Sequence, residues 1–378
     1  MIMKPLVEFC TLNMGQSPDS KTYNDQGDGL PFYQGNADFG EIHPKTRVWC
    51  AAPVKIAEAA DILISVRAPI GAMNIAAERC CIGRGLAALT PIGEKCGKLF
   101  LYYALQSKVD SLIAQGTGST FKAISKKVLE TTLIPAYSIH EQEQITTTIS
   151  HIDRAIAARR SQIVLLDQLV KSRFIELFGD ITETVPLSYY IAALSSGKSL
   201  AGEEECSNKV LKTGAATYDC FDPTQVKNLP VDYEPREEHR VNTGDVIISR
   251  MNTAELVGAA AYVWAAPECT YLPDRLWRAE IKDTACPIFV WQVLIQSSTK
   301  ESIRSIASGT SGSMKNISKL GLLGIRVKKV PLELQEQFAA FVEQTDKSKY
   351  YSSMSYQYCR MAANTYRQEW MTCRTSHS

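Results

Sequence analysis

A chain of 378 residues, 45% of them hydrophobic, is long enough for two or three domains with ordinary cores. No stretch approaches the ~18 consecutive apolar residues of a membrane span, and the segment before Gly15 carries Lys4 and Glu8. Neither a span nor a signal peptide is therefore expected, and the chain should remain in the cytoplasm. Lys and Arg number 41 against 40 Asp and Glu, so the net charge of +1 excludes a global basic excess of the kind that grips phosphates; any contact with nucleic acid needs local basic groups or a partner.

From about residue 5 to 138, short apolar runs with strand character (62–66 and 86–89) alternate with turns such as Asp25-Gln26-Gly27-Asp28-Gly29. One helix is predicted over 98–115, ahead of Gly116-Thr117-Gly118-Ser119-Thr120. Eleven cysteines without a C-x-x-C fit reduced thiols better than a disulfide framework or zinc site, and Cys80-Cys81 reads as strand packing.

The texture then changes. Alternating steps of four and three from Ile145 reach Ile149, Ile152, Ile156, Arg159, Ile163, Leu166, Val170, Arg173 and Leu177, and eight of these ten positions are apolar. A mean spacing of about 3.5 is the mark of a helix laid along another helix. No Pro or Gly interrupts the pattern before Gly179, and the predicted rod is roughly 50 Å long at about 1.5 Å per residue.

From 185 to 330 the first pattern returns, with a strand at 245–249, a helix around 289–305 and the loop Gly309-Thr310-Ser311-Gly312-Ser313. A second rod starts after Pro331 with Gln335-Glu336-Gln337-Phe338 and Val342. From Glu343 onward there is no Leu, Ile or Val, while Tyr350, Tyr351, Tyr356, Tyr358 and Tyr366 crowd in. Tyr356, Cys359, Ala363, Tyr366 and Trp370 keep the spacing, which predicts a helix with a weak seam.

The recurrence is direct. Gly116 to Lys126 reappears as Gly309 to Lys319, and Gln142-Glu143-Gln144 as Gln335-Glu336-Gln337, both 193 residues on. Asp61 to Ser65 matches Asp245 to Ser249 at 184, and Gly15-Gln16-Ser17 matches Gly197-Lys198-Ser199 at 182. A drifting offset means loops of different length on one framework, and a period near 190 residues is domain-sized. The expected class is α+β: two pseudo-repeated globules at 1–138 and 185–330, a central spacer helix at 139–184, and a C-terminal helix at 331–378 that is atypical from about 349.

Gly197-Lys198-Ser199 nearly completes a phosphate-binding P-loop, but Ala192 replaces the leading glycine, and the matching Gly15-Gln16-Ser17 has no lysine. Asp274, Glu280 and Lys282 resemble the acidic pair and lysine of Mg²⁺ nucleases, yet lie too close in sequence to reach neighbouring strands, and the first copy lacks them. The five histidines show no metal spacing. The chain reads as non-catalytic, and no metal site is expected.

The repeated Gly/Ser/Thr loops ending in lysine are plausible phosphate grips, through Thr117, Ser119, Thr120 and Lys122 in one copy and Thr310, Ser311, Ser313 and Lys315 in the other. Arg67, Arg84 and Lys126, with Lys212, Arg250, Arg275 and Arg278, suit groove edges or backbone. Gln34, Asn36, Thr213 and Asn252 add amide and hydroxyl groups; Arg facing guanine and Asn or Gln facing adenine is the expected chemistry.

Two α+β modules divided by a heptad rod, with Asp61-Ile62-Leu63-Ile64-Ser65-Val66-Arg67, Gly83-Arg84-Gly85-Leu86, Gly116 to Lys122 and Glu141-Gln142-Glu143-Gln144-Ile145, resemble the DNA specificity subunit of type I restriction-modification systems. Gly244 to Arg250, Asp274-Arg275-Leu276-Trp277 and Pro331 to Gln337 carry the same likeness in the second half, over about 5–348 in all. The resemblance implies two target-recognition domains, each reading one half of a split target in double-stranded DNA, and long helices pairing as an antiparallel coiled coil. Those helices would act as ruler and as dock for two methyltransferase subunits, with restriction subunits joining through the complex. It further implies that S-adenosylmethionine, Mg²⁺ and ATP belong to the partner chains, with no cofactor on this one. The rival readings are the Asp274/Glu280/Lys282 nuclease and a pseudo-symmetric scaffold that does not bind DNA. The departure from the family is the tail after about 349, where an aliphatic helix is expected.

Overall fold

Ile62, Leu63 and Ile64, and again Val246, Ile247 and Ile248, are fully buried, because each triplet forms the inner strand of a four-stranded sheet covered on both faces. The computed structural model describes residues 2–118, 122–309 and 314–372. Two units emerge, one of Met1–Ser161 with Ser353–Ser378 and one of Gln162–Ser352.

In the first unit the sheet runs Cys10–Met14, Leu86–Pro91, Ile62–Ser65, Met73–Ile75, all antiparallel. In the second it runs Ile191–Ser195, Leu276–Ile281, Val246–Ser249, Ala260–Tyr262, with the same pairing sense. The register repeats as well, since Leu86 lies opposite Ser65 and Leu276 opposite Ser249. A second sheet accompanies each, of five short strands in the first unit and three in the second, containing one parallel contact: Leu30–Tyr33 with Cys80–Ile82, and Lys209–Leu211 with Thr270–Tyr271. The internal duplication is thus one of topology and not merely of letters.

Physical reasons for the repeated letters are visible. Asp61 accepts the Glu58 N–H at 2.9 Å and Asp245 the Asn242 N–H at 2.8 Å, so each aspartate closes the turn that launches its strand. Ser125 and Ser318 cap the short helices Lys126–Thr131 and Lys319–Gly324, while Ile124 and Ile317 before them are buried. The recurring Ile-Ser-Lys is a core anchor followed by a helix cap.

The helix expected over 98–115 is two helices, Lys98–Gln106 and Val109–Ala114, and that around 289–305 is likewise Pro287–Leu294 and Ser297–Ile306. Neither break is marked by Pro or Gly. The Ser107 hydroxyl donates to the Ala104 carbonyl at 2.7 Å, diverting the backbone ladder, and Gln296 adopts an extended conformation.

The two long helices span Ile139–Phe178 and Leu332–Thr372. Ser138 and Glu141 form a reciprocal cap at the first; the Ser138 hydroxyl and N–H donate to the Glu141 carboxylate at 2.7 and 2.8 Å, and these two bonds hold that carboxyl below the usual glutamate range. Within the second unit, Arg173 lies 5.9 Å over the Phe341 ring and Lys349 is 2.7 Å from Asp167, so advancing along one helix retreats along the other. They run antiparallel there, sealed by Phe174, Phe178 and Phe338 with ring centroids 5.0–5.5 Å apart. Of the predicted seam, Ile145 and Ile149 are buried, and Ile152, Ile156, Ile163, Leu166, Val170 and Leu177 are half-buried.

After 349 the predicted spacing is kept and carries aromatic side chains inward. Within the first unit Ala363 and Trp370 are buried, and Tyr356, Cys359 and Tyr366 half-buried. Trp370 packs 5.4 Å from Phe100, its carbonyl accepts from the Tyr137 hydroxyl at 2.7 Å, and Arg367 pairs with Asp153 at 2.6 Å. Aromatic area replaces aliphatic area on the same spacing, and one indole covers as much surface as two small aliphatic side chains.

Candidate nucleic-acid interface

In the first unit the parallel strand pair decides the geometry. Gln34 leaves the strand Leu30–Tyr33 directly beside Gly83-Arg84-Gly85, with the Gly83 N–H donating to the Tyr33 carbonyl at 2.8 Å. Gly85 is required there, because a Cβ would sit 2.4 Å from the Gln34 carbonyl oxygen. The Val66 N–H donates to Gly85 at 2.9 Å, which brings Arg67 alongside, and the Ala68 N–H donates to the Lys122 carbonyl at 3.2 Å. Arg67 and Thr117 both bridge Ala123. Gln34, Arg67, Arg84, Thr117 and Lys122 therefore stand exposed along one connected edge. Asn36 is half-buried in the turn closed by Asp38, and Lys126 is paired with Glu130 at 3.3 Å one step into its helix.

The second unit repeats the arrangement. The Arg250 N–H donates to the Arg275 carbonyl at 3.0 Å, the counterpart of Val66 to Gly85, and the Ile317 N–H donates to Arg250 at 3.2 Å. Met251–Asn252 pairs with Lys315–Asn316. Arg275 and Lys212 are exposed; Arg250, Asn252, Thr213 and Lys315 are half-buried. The Arg250 guanidinium is steered by Asn316 Oδ1 at 3.2 Å and the Trp277 ring at 5.8 Å. Asn316 was not singled out in the sequence, since the first copy has Ala123 in its place.

Arg278 does not join this edge. It donates to the Glu238 and Arg240 carbonyls at 2.7 and 3.0 Å and lies 3.7 Å from Asp245. Burial holds the Asp245 carboxyl above the usual aspartate range in spite of the Asn242 N–H and that guanidinium. Arg278 is a clasp of the fold, and its sequence pattern, an arginine inside a strand, could not distinguish the two roles. Ser119, Thr120, Thr310, Ser311 and Ser313 lie outside the described residues.

The loop register also needs correction. Matching Gly116 to Gly309 follows the letters, but the backbone pairs Thr117 with Ala123 and Ser308 with Asn316, which aligns Gly118 with Gly309. Both of these glycines have φ in the left-handed range, 125° and 138°. The second loop is longer.

The P-loop resemblance dissolves into the same repeat. Ser17 Oγ accepts the Arg84 N–H at 3.3 Å and Ser199 Oγ the Asp274 N–H at 3.2 Å. A Cβ on Gly15 would meet the Gly83 carbonyl at 2.2 Å, and one on Gly197 the Leu272 carbonyl at 1.9 Å. These glycines permit backbone-to-backbone contact and leave no phosphate cradle. As for the nuclease reading, Asp274 also accepts a hydrogen bond from the Ser199 hydroxyl, and Lys282 donates to the Ser188 carbonyl at 2.7 Å. Six extended residues separate Asp274 and Glu280 by about 20 Å, too far to share an ion. Among the described residues no group of three His, Cys, Asp or Glu is placed to hold a metal, and no helix is long and apolar enough to cross a membrane.

A different surface lies on the first long helix within the second unit. Val164, Leu165, Leu169 and Ile175 are exposed, at 47–66%, off the seam positions.

Three comparisons bear on this geometry. Residues 2–165 match the family model for the type I restriction modification DNA specificity domain. MjaX of Methanocaldococcus jannaschii, assigned as a type I restriction enzyme specificity subunit, is 44% identical over 155 residues, 41% of this chain and 36% of that protein. The type I restriction enzyme MjaVIII specificity subunit of the same organism is 28% identical over 171 residues, 40% of each chain. The chain thus spans well under half of the curated relatives it matches. The crystal structure of a type I restriction-modification S subunit from M. genitalium covers 99% of this chain and 96% of its own at 16% identity with a TM-score of 0.64, a likeness of fold.

Proposed function

We infer that this chain, whose residues 2–165 match the type I restriction modification DNA specificity domain, is a sequence-reading subunit of that family without an active site of its own. The observation that carries the reading is the repeated edge: Gln34, Arg67, Arg84, Thr117 and Lys122 in one unit, Arg250, Asn252, Arg275 and Lys315 in the other. Arginine and amide side chains on turns held by backbone hydrogen bonds have the chemistry for base edges, and neighbouring lysines for phosphates. Two such edges on duplicated globules suit a bipartite target in double-stranded DNA, one half for each globule. A net charge of +1 fits a reader whose affinity comes partly from partner chains.

The partners in this reading are two methyltransferase subunits, with restriction subunits joining through them. The stripe Val164, Leu165, Leu169 and Ile175 offers the apolar face that a partner helix needs. S-adenosylmethionine, Mg²⁺ and ATP would then be held by those chains and none by this one.

The test is an exchange of residues 1–138 for those of a relative, followed by mapping of methylated adenines in cells carrying the methyltransferase. One half of the modified sequence should change and the other stay the same. A map that is unaltered in both halves would refute the reading and favour a scaffold.

A further inference from the structure

Two glutamines outside the candidate edge occupy the same place in both copies. Gln142 and Gln335 are the fourth residues of the long helices Ile139–Phe178 and Leu332–Thr372, and each is only 1% exposed. Gln142 Oε1 accepts the Gly97 N–H at 2.9 Å, while its Nε2 donates to the carbonyls of Lys95 and Tyr137, both at 2.9 Å. Gln335 Oε1 accepts the Cys286 N–H at 3.0 Å, and its Nε2 donates to the Val330 carbonyl at 2.8 Å. Gly97 and Cys286 are equivalent: each is the residue that starts the first helix of its globule, Lys98–Gln106 or Pro287–Leu294.

One amide thus ties three pieces of backbone together: the start of a globule helix, the segment leading into the long helix, and the long helix itself. The surrounding contacts, such as Ile145 and Ile149 in the first unit or Phe338 in the second, are apolar. Apolar burial is non-directional, whereas hydrogen bonds fix distance and angle. Only a side chain offering both an acceptor and a donor serves; a carboxylate here would set oxygen against carbonyl oxygens. We propose that Gln142 and Gln335 are positioning residues that hold each recognition globule at a set angle on its long helix, and so contribute to discrimination between targets whose half-sites are differently spaced.

The proposal rests on the DNA-reading function above. The test uses the full chain assembled with its methyltransferase partners and duplexes whose gap between half-sites is altered by one base pair either way. Gln142→Met keeps the packing volume and removes all three bonds. The preference for the native gap is expected to fall by ~tenfold, the scale of a buried polar group left unpaired, with a smaller loss on the native target itself. An equal loss on every gap, or no loss, overturns the proposal, because a residue that merely supports folding would weaken all targets alike. Hydrogen exchange supplies an arm independent of DNA: Gly97 should lose amide protection in Gln142→Met and Cys286 in Gln335→Met, each without the other. If the unmodified complex shows no gap preference, the DNA-reading function itself fails; the positioning role then stands or falls on whether those two amides lose protection.

Discussion

Arg84 and Arg278 show how one residue type serves two ends. Arg84 is exposed on a turn whose backbone is held by Ser17, with its guanidinium at the candidate edge; Arg278 is committed to two main-chain carbonyls beside the half-buried Asp245. In the assembled complex, Arg84→Ala should weaken specific binding by about 1–3 kcal/mol and relax the sequence of one half-site. Arg278→Ala should instead lower the unfolding temperature and leave the recognised sequence unaltered. Calorimetry paired with methylation mapping separates the two; a half-site changed by Arg278→Ala would reverse the assignment. The thiols give a second check. Burial pushes Cys10, Cys80 and Cys96 up to about 12 and Cys81 to about 11. At pH 8 the reactive thiolate is then on the order of one part in a thousand or less. A disulfide-exchange reagent should leave these four untouched in the native chain and modify them once denaturant is added, with reactivity in the folded state rising only at strongly alkaline pH.

At the level of elements, the second long helix carries the clearest expectation. Trp370 is 7% exposed and joins Phe100 and Tyr137 in the core of the first unit. Trp370→Ala should cost about 3–5 kcal/mol, by loss of apolar burial and the cavity left behind, whereas Tyr358→Ala, at a side chain 77% exposed, should change stability by no more than about 0.5 kcal/mol. Comparable denaturation midpoints for the two variants would contradict the packing described. The same helix marks how far the sequence could be read. Spacing alone located Ile145 to Leu177, since a 3.5-residue period survives substitution by any apolar residue, and it picked out Tyr356, Cys359, Ala363, Tyr366 and Trp370 as a face. What spacing did not reveal was the partner of that face, since Trp370 meets Phe100 and Tyr137 of the globule. The helix breaks at Ser107 and Gln296 were illegible for another reason: no Pro or Gly marks them, and polar stretches such as Gln106-Ser107-Lys108 and Gln296-Ser297-Ser298 read equally well as the solvent face of a continuous helix. The edge residues were legible by type and repetition, but the separation of Arg278 from Arg275 depended on where Glu238 and Arg240 fall in space.

For the molecule as a whole, duplication is the property with the widest consequence. Each globule is built on the same sheet order and register, and each is rooted on the first turn of a long helix by a buried glutamine. If the long helices set the gap between two half-sites, lengthening them must change the target without changing either half. Adding one heptad after Arg160 and another after Gln357 keeps the apolar seam in phase and adds about 10 Å of helix. The original target should then lose methylation. Modification should move to the same two half-sites set further apart, by about one to three base pairs, since each pair occupies about 3.4 Å along the duplex. The upper value applies when all the added length lies along the DNA axis, and the rotation of the grooves with each added pair favours a smaller one. Mapping of methylated adenines reads the outcome directly: unchanged half-sites at a larger gap fit a ruler, while an unchanged gap means the spacing is set elsewhere, in the partner subunits or in the DNA.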